Sequence, residues 1–307
     1  MSSLTHKRIA VLKGGPGSER QISLASAAGV AGALRELGAE VIEVDVTSPH
    51  FELPEGIDLA FNMIHGTLGE DGQLQRALEA RGIPYTGEGV RGSELAFDKL
   101  QSKARFVERG VPTPKFEKIP AGTEPSMPLP YVVKAPCEGS SVGVYIVQTP
   151  EEVAPALQSA ARYAQELLVE EFVEGRELTV GILDGTALPI IEIRPRTGFY
   201  DFANKYPFLD PTGKGAADHY CPAALDAETT RLVQQTALAA HRALDLEVYS
   251  RVDVLLRANG EPTVLEINTI PGMTQASLLP EAAAAAGIRY APLCERIAEL
   301  SLSRFRA

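Results

Sequence analysis

A chain of 307 residues with 45% apolar side chains carries core enough for two to three domains. Its 40 acidic and 29 basic residues leave a net charge of −11, a surface that repels a phosphate backbone and excludes nucleic acid as a partner. Cys137, Cys221 and Cys294 cannot all pair and form no C-x-x-C motif, which excludes a disulfide framework and fits a reducing compartment. The polar start, Met1 to Lys7, does not read as a signal peptide, and no run of about 18 apolar residues is available to span a bilayer. A cytoplasmic protein with no membrane partner is expected.

The first ninety residues alternate β-branched runs with helical patterns, the grammar of a parallel sheet with crossover helices. Ile9 to Leu12 reads as a strand, Ser23 to Leu37 as a helix closed by Gly38, and Glu40 to Val46 and Leu59 to Ile64 as two more strands. Asp71 to Ala80 reads as a helix, and the compact α/β unit ends near Gly92. A single helix is expected over Ser93 to Arg109, which places Lys99 mid-helix. Six prolines between Pro112 and Pro130 then bar any long helix and mark a boundary.

Beyond it, Tyr131 to Lys134 and Val142 to Val147 read as strands flanking a loop, and Glu151 to Ala164 as a helix opened by a Thr149-x-x-Glu152 capping box with Pro150 at its first position. Leu167 to Val173, Leu178 to Leu183 and Leu188 to Ile193 read as extended, with Asp184-Gly185 as a turn.

Two strand-like runs meet at Asn259-Gly260, a type I′ hairpin signal because both central positions of that turn need positive φ. Cross-strand partners then have numbers summing to 519, so Asp253 lies opposite Glu266 and Arg251 opposite Asn268, all on one face. Val252, Val254, Leu265 and Ile267 occupy the other, core face. Two carboxylates facing each other repel by up to about 1 kcal/mol unless a cation lies between them, and Asp, Glu and an Asn oxygen are hard ligands suited to Mg²⁺. A solvated edge hairpin is the plainer alternative.

Two glycine loops stand out. Lys134-Ala-Pro-Cys-Glu-Gly-Ser-Ser-Val-Gly143 joins two strands and could close its N–H groups over a polyphosphate, with Lys134 at its base. Gly14-Gly15-Pro16-Gly17-Ser18-Glu19-Arg20 follows a strand and opens a helix, but Arg20 occupies the sixth position of the dinucleotide fingerprint, and no G-x-x-x-x-G-K-[ST] string exists. Its helix N-terminus and Glu19 suit a small ligand bearing a carboxylate and an ammonium.

Taken together, these strings resemble the ATP-grasp ligases, specifically the D-alanine–D-alanine ligase family. The resemblance runs through Gly14-Gly15…Ser18-Glu19-Arg20, His65-Gly66-Thr67-Leu68-Gly69-Glu70-Asp71-Gly72, Asp98-Lys99, Glu138-Gly139-Ser140-Ser141-Val142-Gly143, Lys205-Tyr206, Cys221-Pro222-Ala223, Arg251-Val252-Asp253 and Leu265 to Thr274, in the family's order. It implies an N-terminal α/β domain over residues 1–97 followed by a two-domain ATP-grasp fold over 98–177 and 178–307, a homodimer, and ATP as cosubstrate with two Mg²⁺ or Mn²⁺ ions. It further implies that Lys99 and Lys134 contact ATP phosphates, that Glu170 and the Val173 backbone take the adenine and Glu177 the ribose, and that Asp253, Glu266 and Asn268 hold the metals. Glu19 would bind the ammonium of the first D-alanine, with His65 and Lys205 nearby. Ser277 and the Leu278 backbone would bind the carboxylate of the second. Arg251 and the Gly272 N–H would stabilise the oxyanion, and Ser140 and Tyr206 would link two mobile loops over the site.

The implied reaction joins two D-alanines through an acyl phosphate that a closing lid must shield from water. Three rivals are weighed against it: a ligase that takes D-lactate as second substrate, which Tyr206 disfavours; a non-catalytic nucleotide-binding grasp protein, which intact Asp253, Glu266 and Asn268 disfavour; and a dinucleotide-dependent oxidoreductase, which Arg20 disfavours.

Overall fold

The computed structural model describes residues 2–196 and 217–306. Near the N-terminus, β1 (Arg8–Gly14) lies between β2 (Glu40–Val46) and β3 (Leu59–Asn62), all parallel. Alternation along β1 sends Ile9 and Val11 toward α1 (Arg20–Glu36), where Ala27, Val30 and Leu34 wait, and sends Ala10 and Leu12 toward Leu74 and Leu78 of α2 (Gln73–Glu79). Both faces are covered, as a parallel sheet requires. Helix α2 starts two residues later than the sequence suggests, because Gly72 is left-handed at φ +84 and the Asp71 carboxylate accepts from the Leu68 and Gln73 N–H groups.

The single helix expected over Ser93 to Arg109 is two helices, α3 (Val90–Phe97) and α4 (Lys99–Glu108). Asp98 leaves the helical region at ψ 104, and its Oδ1 accepts from the Leu100 and Gln101 N–H groups. An N-cap of this kind starts a new helix and contributes about 1 kcal/mol. Lys99 is therefore the first residue of α4 rather than a mid-helix lysine, and the cap fixes where its stem leaves the backbone.

A four-stranded antiparallel sheet follows, in the order β4 (Phe116–Pro120), β7 (Glu166–Glu171), β5 (Tyr131–Lys134), β6 (Val144–Val147). Its Val133, Val147 and Val169 pack on Ala156, Leu157 and Ala160 of α5 (Pro150–Ala160). The Thr149 capping box forms, with Glu152 reaching back to the Thr149 N–H at 3.2 Å, and Pro155 is accommodated inside the helix.

The larger sheet orders β11 (Ala217–Tyr220), β10 (Ile191–Pro195), β8 (Arg176–Leu183), β12 (Tyr249–Leu256) and β13 (Pro262–Asn268), with β9 (Thr186–Ala187) also on β8. Helix α6 (Ala227–Ala243) covers one face through Val233, Ala237 and Ala240. Helices α7 (Leu278–Ala285) and α8 (Tyr290–Arg304) return to the N-terminal unit, where Leu279, Leu293 and Ile297 share one core with Ile9, Val30 and Leu34.

The β12–β13 hairpin departs from the expected turn. At the site end Arg251 faces Asn268 and Asp253 faces Glu266, as expected, but Val254 faces Val264 and Leu256 faces Pro262. The turn is not a two-residue type I′. The Gly260 N–H bonds the Arg257 carbonyl at 2.9 Å, the Arg257 N–H bonds the Glu261 carbonyl at 3.0 Å, and of the two central residues only Gly260 has positive φ, +86. This longer turn shifts the register by one residue, and a bulge at Leu265 shifts it back. Leu265 consequently lines the cleft, and Val264 takes the core position.

Candidate active site

A cleft of about 650 Å³ opens between the inner faces of the two antiparallel sheets. Val132 and Ile146 from one sheet and Leu255 and Leu265 from the other give it apolar walls, suited to a flat ring. At its back, the Glu170 carboxylate is buried between two ammonium groups, Lys103 at 2.7 Å and Lys134. Burial opposes the Glu170 charge, but the two lysines outweigh it and hold the carboxyl below its ordinary value. Lys103 is fully buried and also donates to Thr113 Oγ1 at 2.7 Å. Val173 and Glu177 line the same cleft.

Lys99 reaches from the first turn of α4 into the cleft, where it donates to the Glu138 carbonyl at 2.8 Å and pairs with Glu266 at 3.1 Å. Burial works against its ammonium, but Glu266 prevails and raises its pKa. Across the strand pair, Asp253 receives Arg251 as a fork, Nε at 3.0 Å and Nη2 at 2.9 Å, together with Thr179 Oγ1 at 2.6 Å and Asn268 Nδ2 at 3.3 Å. The repulsion expected between facing carboxylates is thus offset by a separate cation on each. Among the described residues no group of three or more His, Cys, Asp or Glu forms a metal cage. The donor set is instead two carboxylates and one amide oxygen, all hard ligands lying where cationic side chains already concentrate, and this chemistry fits Mg²⁺ or Mn²⁺.

A second cluster lies where the N-terminal unit meets the segment after β13. Glu19, the residue preceding α1, accepts from the Ser140 hydroxyl across the chain. Ser140 and Ser141 both have positive φ, +52 and +61, so the glycine loop reaches Glu19 through two left-handed residues. His65 is buried, and its ring Nδ1 lies 2.8 Å from the Ile270 carbonyl while Nε2 lies 3.4 Å from Ser26 Oγ. Burial lowers its pKa and outweighs the opposing pull of Glu19 and the Ile270 carbonyl, which fits a neutral ring carrying its proton on Nδ1. Gly272 sits so close to Ser277 that a Cβ would fall 2.9 Å from its Oγ. Ser277 precedes α7 and its Oγ accepts from the Thr274 N–H at 3.0 Å. Leu278 begins that helix, and such an N-terminus suits a carboxylate.

Two sequence profiles match the chain: one described as D-ala D-ala ligase C-terminus over residues 102–299, and one as D-ala D-ala ligase N-terminus over residues 46–88. The chain belongs to the D-alanine–D-alanine ligase family. The D-alanine–D-alanine ligase of Methylacidiphilum infernorum is 48% identical, with 100% of this chain and 99% of that protein covered. The ligase of Geobacter sulfurreducens is 46% identical over 94% of this chain and 92% of its own length. A crystal structure of the Bacillus anthracis D-alanine–D-alanine ligase complexed with ATP superposes with a TM-score of 0.86 at 35% identity, covering 98% of this chain and 99% of that one.

Within this member of the D-alanine–D-alanine ligase family, the fold draws the expected residues into two adjoining groups. Lys99, Lys134, Glu170, Val173, Glu177, Asp253 and Glu266 line the cleft, and Asn268 bonds Asp253 beside it. Glu19, His65, Ser140, Gly272, Ser277 and Leu278 surround the junction with the N-terminal unit, and Arg251 lies near both. Lys205 and Tyr206 fall outside the described residues. Sequence reasoning gave no role to Glu70, Lys103 or Thr179. Lys103 and Glu70 look like surface charges in polar strings; burial marks Lys103 and the two backbone N–H groups on its carboxylate mark Glu70, whereas Thr179 could have been found by period-two alternation from Glu177 along β8.

Proposed function

We propose that this chain joins two D-alanine molecules into D-alanyl-D-alanine, with ATP converted to ADP and phosphate, for peptidoglycan precursor synthesis. The observation that carries this reading is the junction itself: a lysine-lined nucleotide cleft adjoins an amino-acid pocket in a chain that matches D-alanine–D-alanine ligases over its full length. In the first step a carboxylate oxygen of the first D-alanine attacks the γ-phosphorus, and the bond to ADP breaks. Lys99 and Lys134 offset phosphate charge, Glu19 holds the ammonium, and His65 shapes the pocket.

In the second step the amine of the second D-alanine, its carboxylate at Ser277 and the Leu278 N–H, attacks the acyl carbon. The oxyanion meets the Gly272 N–H and Arg251, whose guanidinium is oriented by Nε and Nη2 on Asp253. Phosphate then leaves and the former amine loses a proton. Asp253, Glu266 and Asn268 would hold the divalent ions, which supply charge neutralisation on the phosphates. Glu170 and the Val173 backbone would take the adenine and Glu177 the ribose, and Ser140 with Tyr206 and Lys205 would close the site. Division at 97/98 and 177/178, a homodimer and a cytoplasmic location complete the proposal, the first two carried by the family resemblance and the last by cysteines that suit a reducing compartment.

The test is phosphate release from MgATP with and without D-alanine, with D-lactate in parallel. Release that requires D-alanine, accompanied by dipeptide, is expected. ATP turnover indifferent to D-alanine, or a preference for D-lactate as second substrate at neutral pH, would overturn the reading.

A further inference from the structure

Gly66 and Ile270 lie 204 residues apart in the chain, yet one carboxylate holds both. Glu70 Oε2 accepts from the Gly66 N–H at 2.6 Å and Oε1 from the Ile270 N–H at 3.0 Å. The Ile270 carbonyl is taken by His65 Nδ1 at 2.8 Å. Three residues on, the Met273 N–H donates to Ser26 Oγ at 3.1 Å, that hydroxyl lies toward His65 Nε2, and the Met273 carbonyl accepts from the Tyr290 hydroxyl. Both ends of the turn are therefore fixed through N–H and carbonyl alike. Pro271 has no N–H, which leaves the Gly272 N–H as the donor between the two mounts.

We propose that Glu70, with Ser26 and His65, is a positioning residue that mounts the Ile270–Met273 turn on the N-terminal unit and so aims the Gly272 N–H at the oxyanion. The inference rests on the ligase reading for its chemistry, but its mechanical content does not. No substrate contact is assigned to Glu70. Its work is to accept two N–H groups, which needs both oxygens unprotonated. The titratable and charged groups facing it are Glu19, His65, Tyr249 and Arg251. Burial, reinforced by Glu19 and opposed first by the Gly66 and Ile270 N–H groups and then by Arg251, pushes the Glu70 carboxyl up to about 7. Below that pH one oxygen becomes a donor and one mount is lost.

Glu70→Gln imitates the protonated group at every pH, since an amide offers one acceptor oxygen where two are required. The first step, acyl phosphate formation, makes no use of the Gly272 N–H; the second does. The variant should therefore retain D-alanine-dependent scrambling of oxygen label between bridging and non-bridging positions of ATP while dipeptide kcat falls roughly 10²-fold, the scale of a small misplacement. KM for ATP should stay within about twofold, because the nucleotide cleft is untouched. The acid limb of kcat with a midpoint near pH 7 should disappear. Ser26→Ala, a small change at a fully buried site, should show the same partition more weakly.

Hydrogen exchange at the 270–273 amides reads the mount directly and needs no turnover: exchange should quicken in Glu70→Gln and, in the parent protein, as pH falls below 7 once intrinsic rates are divided out. Unchanged exchange and an unchanged pH profile in both variants would overturn the proposal. An inactive parent whose 270–273 amides still loosen in Glu70→Gln would count against the ligase reading alone.

Discussion

Lys99 and Arg251 occupy the two carboxylates that the proposed reaction assigns to metal, so the reaction requires an exchange of partners, with phosphates drawing Lys99 away from Glu266. Glu266→Gln should nonetheless be tolerated by the fold. Relief of carboxylate repulsion is not the cause, because each carboxylate already has its own cation. The amide oxygen of Gln can still accept from Lys99, and Lys99 keeps the Glu138 carbonyl, so the stability cost should be about 1 kcal/mol. Turnover should vanish, because the proposed metal site would lose one of its two charged ligands. Kinetics and thermal melting check both halves: a sharp fall in Tm with surviving ligation would show that Glu266 is structural.

At the scale of elements, the β12–β13 hairpin separates its turn from its site by the bulge at Leu265. The site-side pairing of Asp253 with Glu266 is fixed by β8, which pairs with β12 from Arg176 to Leu183, and by the core contacts of Val252 and Ile267. The turn depends on Gly260, where φ is positive and no heavy atom lies within 4 Å of where an alanine methyl would stand. Gly260→Ala should then cost about 1–2 kcal/mol of purely conformational origin, with kcat and KM unchanged. Urea denaturation and steady-state kinetics decide this; a loss of activity beyond the loss of folded protein would mean that the turn, not the sheet, sets the register of Asp253 and Glu266. The same scale explains the break at Asp98: one side-chain cap divides two helices and turns Lys99 into the cleft.

Across the whole molecule, the N-terminal unit reaches the larger sheet through buried carboxylates. Glu88 accepts from the Glu247, Val248 and Tyr249 N–H groups at 2.7, 2.8 and 3.0 Å, clamping the start of the strand that carries Arg251 and Asp253. The packing of α6 on that strand places His241 beside Ser250 Oγ at 2.8 Å. Burial, with Arg242 adding to it, lowers the His241 pKa from 6.5 to about 4. The unfolded chain therefore takes up the proton first as pH falls through 6.5. Stability from this group is full above that value, declines between pH 6.5 and 4, and is lost by about 3 kcal/mol below. Chemical denaturation of parent and His241→Gln between pH 7 and 4.5 should show their stability difference shrinking as pH falls. A difference constant with pH would mean that His241 protonates equally in both states.

What the sequence determined by itself is local or periodic. The alternation in residues 9–64 predicted the parallel sheet, Thr149 and Glu152 predicted their capping box, and the opposition of Asp253 to Glu266 could be computed from strand numbering, although through a turn of the wrong length whose error the bulge cancels. The ordered motifs pointed to the family. What only the tertiary structure decided is which charges are buried and what they face. Lys103, Glu70 and Glu88 sit in strings that read as solvated surface, because what withdraws them from solvent lies far away in sequence: Glu88, buried, meets Val248, Lys103, buried, meets Glu170, and Glu70, half-buried, meets Ile270. A charge is held inside only when distant partners compensate its desolvation, and no local pattern records that.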